Sequence, residues 1–154
     1  MHPHQTLIET FYRAFAARDA EGMIACYHPR VRFTDEVFDL EGAQAGAMWK
    51  MLCERGKDLE VSFSDVEADE RSGRAHWDAT YTFSAGGNLV RNSIDASFEF
   101  EDGKIVSHVD TFDFWKWSRQ ALGLPGLLLG WSGFLRRKVA ATAARQLARY
   151  QERE

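Results

Sequence analysis

FEFEDGKIVSHVDTFDFW, residues 98–115, decides the reading of this chain. It alternates as a strand does, and it holds a histidine and an aspartate two positions apart. A strand turns residues i and i+2 to one face, so His108 and Asp110 point together toward the side taken by Val106, Phe112 and Phe114. Imidazole and carboxylate are costly to bury, and both are useful where a proton moves at neutral pH. Which face they take depends on the turn. A two-residue Asp102-Gly103 loop sets Ala96 opposite Val109 and leaves the pair outside, with Asp95 and Ser97. A three-residue turn, Glu101-Asp102-Gly103 with glycine in the left-handed bulge position, sets Phe98 beside Val106, Ala96 beside His108 and Ile94 beside Asp110. The pair then faces the core. The second register is favoured: Val90, Ile94, Ala96, Phe98 and Phe100 are apolar, whereas Arg91, Ser93, Asp95, Ser97, Glu99 and Glu101 are not.

Working outward, the period of two begins at Leu59. LEVSFSDVEAD, RAHWDATYTF, LVRNSIDASFEFE and KIVSHVDTFDFW read as four strands of an antiparallel meander, with turn signals at Ser72-Gly73, Gly86-Gly87 and Asp102-Gly103. Three helices precede them. Thr6 and Glu9 form a capping box before Leu7, Ile8, Phe11, Tyr12 and Phe15, predicting a helix to about Arg18. Asp19 caps a short second helix carrying Met23, Ile24 and Tyr27, which His28-Pro29 ends. VRFTDEVFDLEG reads as a short strand and a loop, and GAQAGAMWKMLCERG as a third helix with Met48, Met51 and Leu52 on one side and Gly56 at its end. Helices followed by a long sheet predict an α+β domain over residues 1–115, the curved sheet closing over the helices around a volume fit for a ligand. Residues 116–154 read as a helical extension: WKWSRQALGLPGLLLGWSG is irregular or briefly helical, then a helix follows with Leu135, Val139, Ala143, Leu147 and Tyr150 on one stripe.

Composition supports one domain with a core, at 45% hydrophobic and 13% aromatic residues in 154. No signal peptide or membrane span is visible, so the expected location is the cytoplasm. Cys26 and Cys53 fall in predicted helices without metal-ligand spacing and read as buried thiols. The net charge of −4 hides an asymmetry: residues 115–154 carry +6, leaving −10 on the rest. An acidic body argues against nucleic acid as a partner. The basic tail reads either as a membrane-surface anchor, with Trp115, Trp117 and Trp131 beside arginines, or as a helix docked on the acidic body or a second subunit. Docking is preferred and membrane contact is not expected, because the stripe is rich in alanine. Val109, Thr111 and Trp115 make the outer face of the last strand partly apolar, which predicts a homodimer.

The element order, helix-helix-strand-helix and then four long strands, together with AFAARDAEGMIACYHPRVRFTDE and FEFEDGKIVSHVDTFDFW, resembles the NTF2-like superfamily. Within it the chain is most similar to SnoaL-like and ketosteroid-isomerase-like proteins, over residues 5–115. The resemblance implies a cone-shaped α+β barrel with a deep apolar pocket, usually in a dimer. It implies that Asp35 in RFTDEV matches the general-base aspartate of ketosteroid isomerases. Phe11 stands where that enzyme's oxyanion-hole tyrosine would be, with Tyr12 one place later, and Ala96 stands where its protonated aspartic acid would be. Both electrophilic donors are missing, which argues against steroid isomerisation. Asp110 matches the acid/base aspartate on the last strand of SnoaL-like cyclases. The Asp-Arg-Asp constellation of limonene-epoxide-hydrolase-like members has no inward arginine here.

The candidate catalytic residues are therefore Asp35, His108 and Asp110. The candidate substrate contacts are Tyr12, Phe15, Met48, Trp77, Tyr81, Asn92, Ile94, Phe98 and Phe112, with Asn92 as the neutral polar one. Each has a plainer reading: His108 and Asp110 as a buried pair that fixes strand register, Asp35 as a capping carboxylate, Trp77 and Tyr81 as core. Asp113 falls on the other face and reads as structural. His-x-Asp with Asp35 as third ligand lacks a second histidine, so no metal is expected and no cofactor. His2, His4, His28 and His76 read as surface or terminal residues. The leading function is acid/base chemistry, isomerase, cyclase or lyase-like, on a small apolar oxygenated molecule. The rival is a non-catalytic hydrophobic-ligand-binding or dimerisation module.

Overall fold

A computed structural model describes residues 1–83 and 86–153. Helix α1 spans Pro3–Ala16 and starts earlier than the Thr6–Glu9 pair suggests. Pro3 presets the helical φ of the first turn, and the His2 side chain accepts the His4 N–H, so Thr6 lies inside the helix. Helix α2, Ala20–Ile24, is capped by Asp19, which accepts the Gly22 N–H at 3.0 Å. His28-Pro29 do not end it; they belong to strand β1, Tyr27–Thr34. Strand β2, Asp39–Glu41, and helix α3, Ala43–Arg55, follow.

Strands β3 (Glu60–Ala68), β4 (Ser72–Thr82), β5 (Leu89–Glu101) and β6 (Lys104–Thr111) form the expected meander. The sheet is not wholly antiparallel: β1 lies parallel to β6, giving the order β2-β1-β6-β5-β4-β3. The first turn is made not by Ser72-Gly73 but by Asp69, whose carboxylate accepts the Arg71 and Ser72 N–H groups at 2.8 Å each. Gly73 sits inside β4, opposite Ala68.

The register at His108 is a third solution and matches neither of the two read from sequence. Asp102 and Gly103, with φ of 55° and 73°, make a two-residue hairpin in which Glu101 pairs with Lys104 and Phe100 with Ile105. The ladder then slips by one at Val106, so Glu99 faces Ser107, Phe98 faces His108 and Ala96 faces Asp110. One extra residue restores the inward face of His108 and Asp110, but with different neighbours from those expected. The strand also stops sooner. Asp113 accepts the Lys116 N–H at 3.0 Å and caps helix α4, Phe114–Leu122, so Phe114 and Trp115 are helical. Helices α5, Leu124–Leu129, and α6, Gly133–Glu152, complete the chain.

The concave side of the sheet takes α1 and α3. Ile8, Phe11, Tyr12 and Phe15 from one helix and Met48 and Trp49 from the other meet Trp77, Ile94, Ala96 and Phe98 in one core. A smaller core at the other end joins Val90 to Phe114, Trp117 and Ala121, flanked by Tyr81, Phe83 and Phe112. Helix α6 lies on the body: Leu135, Leu147 and Tyr150 are buried, Val139 is half-buried, and Arg136 pairs with Glu36 at 2.7 Å. Cys26 and Cys53 are buried free thiols. Among the described residues no helix is long and apolar enough to cross a membrane.

Candidate functional site

His108 is fully buried on β6, and both of its ring nitrogens are engaged within the protein. Its Nε2 lies 2.8 Å from Asp110 Oδ1 and its Nδ1 lies 2.8 Å from the Tyr27 hydroxyl. Trp49 Nε1 donates to the same hydroxyl at 2.8 Å, and Trp77 Nε1 donates to Asp110 Oδ1 at 3.4 Å. The donors fall into one consistent order: indole to phenol, phenol to imidazole, imidazole to carboxylate. Tyr27 and Trp49 were not singled out in the sequence. Tyr27 opens a strand rather than closing a helix, and Trp49 adjoins Met48 in the apolar run of α3.

The volume expected around this pair is occupied by side chains. The rings of Phe98, Phe33 and Phe11 stand 4.5, 4.9 and 5.4 Å from the His108 ring, with Tyr27 and Trp49 just beyond. Two open surface hollows among the described residues lie elsewhere. One, about 420 Å³, is lined by Arg18, Asp19, Lys50 and Glu54, and the other, about 480 Å³, by His2, His4, Glu70 and Asp102.

Asp35 follows β1 and folds back on itself, its Oδ1 accepting the Val37 and Phe38 N–H groups at 2.7 and 2.6 Å. It caps a turn rather than a helix. Burial pushes its carboxyl up to about 6 against the lowering effect of those two bonds; the Asp110 charge pushes the same way, and His108 opposes it. Asp35, His108 and Asp110 thus share one electrostatic neighbourhood. Tyr81 borders it: its hydroxyl accepts from Trp117 Nε1 at 2.8 Å, and burial, aided by Asp35, raises its phenol.

Tyr12 has the one buried side-chain polar atom left unpaired among the described residues, its hydroxyl. Burial, then the Asp110 charge, holds this phenol well above the ordinary tyrosine range. Tyr12, Phe15, Met48, Trp77, Ile94 and Phe98 gather in the main core. Phe112 and Tyr81 lie where that core meets the smaller one beneath α4, and Asn92 is half-buried, opposite Ala79.

Of the histidines read as surface or terminal, His28 differs and His76 lies at the surface as expected. His28 is buried, its Nδ1 accepting the Arg30 N–H at 3.0 Å and its Nε2 3.5 Å from Asp102. With Glu101 these residues form the one metal-like trio among the described residues, but a ring that accepts at Nδ1 carries its proton on Nε2, the atom a cation would need. His76 is held between Asp95 and Asp78, and the Asp95 hydrogen bond raises its pKa.

A cone of helix and curved sheet closed around an ionisable cluster defines the class. The profile of the SnoaL-like domain matches residues 8–108, and the chain belongs to this family, within the NTF2-like superfamily. No curated protein matches it in sequence. Among solved structures it is similar to a proposed polyketide cyclase of Xanthomonas campestris, with TM-score 0.64 and 19% identity over 77% of this chain and 96% of that one. It is also similar to an epoxide hydrolase of the LEH-like type from M. tuberculosis, with TM-score 0.66 and 20% identity over 82% and 96%. A third similar structure is an NTF2-like protein of unknown function from Burkholderia pseudomallei, with TM-score 0.62 and 18% identity over 73% and 92%. These likenesses establish the fold.

Proposed function

We propose that the cone performs small-molecule acid/base chemistry, of the isomerase, cyclase or lyase kind, on an apolar oxygenated substrate. The observation that carries this reading is Asp35: a carboxyl raised to about 6, beside Asp110 and His108, exchanges its proton close to neutral pH. In this reading Asp35 takes the proton from carbon or oxygen. The Tyr12 hydroxyl, which has no partner to give up, donates to the substrate oxygen. Asp110, held by Trp77, fixes the orientation of the His108 ring beside the reacting groups, and the negative charge that develops on the substrate oxygen is met by the Tyr12 hydroxyl. Phe15, Met48, Trp77, Tyr81, Asn92, Ile94, Phe98 and Phe112 would line the substrate, which requires the rings that fill the cone to part and admit it. Two similar structures, a proposed polyketide cyclase and an epoxide hydrolase, support small-molecule chemistry in general. The reaction as drawn uses no cofactor. The protein is read as a cytoplasmic homodimer, joined through the outer face of the sheet at Val109 and Thr111, both exposed.

A second reading has its own support. Both His108 nitrogens are satisfied internally and aromatic rings fill the cone, as suits a non-catalytic hydrophobic-ligand-binding or dimerisation module. A panel of apolar ketones, lactones, epoxides and phenols separates the two. Turnover whose kcat/KM changes through a pKa near 6, with a loss of about 100-fold in Asp35→Asn, is expected from acid/base catalysis. Saturable binding without turnover selects the second reading.

A further inference from the structure

Residues 124–134, LPGLLLGWSGF, present apolar surface to water in a way no other part of the described chain does. Leu124, Leu127, Leu128 and Leu129 are 65, 43, 58 and 43% exposed, and Trp131 and Phe134 are 78 and 62% exposed. The cause is an inverted amphipathic helix. A Cβ on Gly126 would fall within 1.9 Å of the Ser118 carbonyl oxygen, and one on Gly130 within 2.1 Å of the Ser118 hydroxyl. The glycines therefore face the protein, and α5 is pressed onto α4 with its leucines turned outward.

The polar groups of this corner are satisfied internally. Trp115 Nε1 donates to the Leu127 carbonyl at 3.1 Å, Trp131 Nε1 to the Leu128 carbonyl at 2.9 Å, and the Ser132 hydroxyl to the Leu129 carbonyl at 2.6 Å. A segment that enters the margin of a bilayer needs this, since lipid offers its hydrogen-bonding groups nothing.

Charge selects the occupant. From residue 114 to residue 151 there is no aspartate or glutamate, while Lys116, Arg119, Arg136, Arg137, Lys138, Arg145 and Arg149 are spread through the stretch. Two copies meeting across this patch would bring two such segments together, at an electrostatic cost. An anionic surface matches it.

We infer that residues 124–134 form a membrane-surface element, seating Leu124, Leu127, Leu128, Trp131 and Phe134 at the headgroup–acyl boundary of an anionic bilayer. Arg137 and Lys138, both exposed at the start of α6, meet the lipid phosphates. This revises the sequence reading at one point. The stripe of α6 is indeed spent on protein, but the apolar face left for lipid belongs to α5. Tryptophan suits such a boundary, with its apolar body and single polar tip.

The test uses the full chain and sedimentation with vesicles of phosphatidylcholine alone or mixed with phosphatidylserine. Binding is expected only to the mixed vesicles, falling as salt is raised. It should weaken about tenfold in the double variant Leu128→Glu/Trp131→Glu, and about tenfold in Arg137→Glu/Lys138→Glu, each with an unchanged unfolding midpoint because these side chains are exposed. Three results would overturn the inference: no binding to either vesicle, undiminished binding by the leucine–tryptophan variant, or a wild-type mass of two chains that becomes one in Leu128→Glu. The last would make the patch a subunit contact.

Discussion

Asp35 is where the chain holds an ionisable group against its ordinary preference. The unfolded chain releases that proton near pH 4, whereas the native state keeps it to about 6. Between those values the unfolded state binds fewer protons, so stability falls as pH rises and levels off above the native pKa. The ionised carboxylate costs on the order of 2 kcal/mol at neutral pH. Asp35→Asn keeps an oxygen to accept the Val37 and Phe38 N–H groups and removes the charge. It is expected to be about 1 kcal/mol more stable than wild type at neutral pH, and the two should converge near pH 4. Urea denaturation across that range measures the difference. No gain at neutral pH would mean that the carboxylate is better solvated than its surroundings indicate.

At the scale of elements, single-residue devices set large features. The slip at Val106 decides which face of β6 holds His108, and the Asp113 cap decides where β6 yields to α4. Gly126 decides how α5 sits. Gly126→Ala puts a methyl into the Ser118 carbonyl and must lift α5 from α4. The expected result is faster amide hydrogen exchange through residues 124–130, with little change in α1 and β5, where the main core is undisturbed. Uniform loss of protection across the chain would instead mean that the tail and body unfold as one unit. The alternation of β3 to β6 was legible because each strand keeps one face in the core. The turns were less so: Asp69 rather than Ser72-Gly73 makes the first, since a carboxylate accepting two N–H groups outweighs a nearby glycine.

For the whole molecule, the extension is part of the fold. Leu147 and Tyr150 pack into the main core, Leu135 is buried at the other end of α6, and Arg55 lies over the Tyr150 ring. Deleting residues 134–154 removes these side chains of α6 and uncovers the surface of α3 that they cover, a loss on the order of 4 kcal/mol. A lower thermal midpoint in calorimetry is expected, and an unchanged one would show that α6 rests on the body without supporting it. The −10 body and +6 tail fit this docking, with Arg136 reaching Glu36 beside Asp35.

By itself the sequence determined the class of fold, because two-residue and helical periodicities are local consequences of which side chains avoid water. Alternation along β5 favoured an inward face for His108 and Asp110, but the bulge that puts them there, with Phe98 beside His108 and Ala96 beside Asp110, was not written in that pattern. The tertiary structure decided what surrounds that face. Tyr27 from β1, held by Trp49 of α3, takes Nδ1 of His108, and the two rings fill the space beside it. The parallel seat of β1 on β6 and the outward leucines of α5 were likewise decided there. Those outcomes depend on contacts between segments far apart in the chain, where a single bulge or glycine changes which groups meet and no local pattern records the partner.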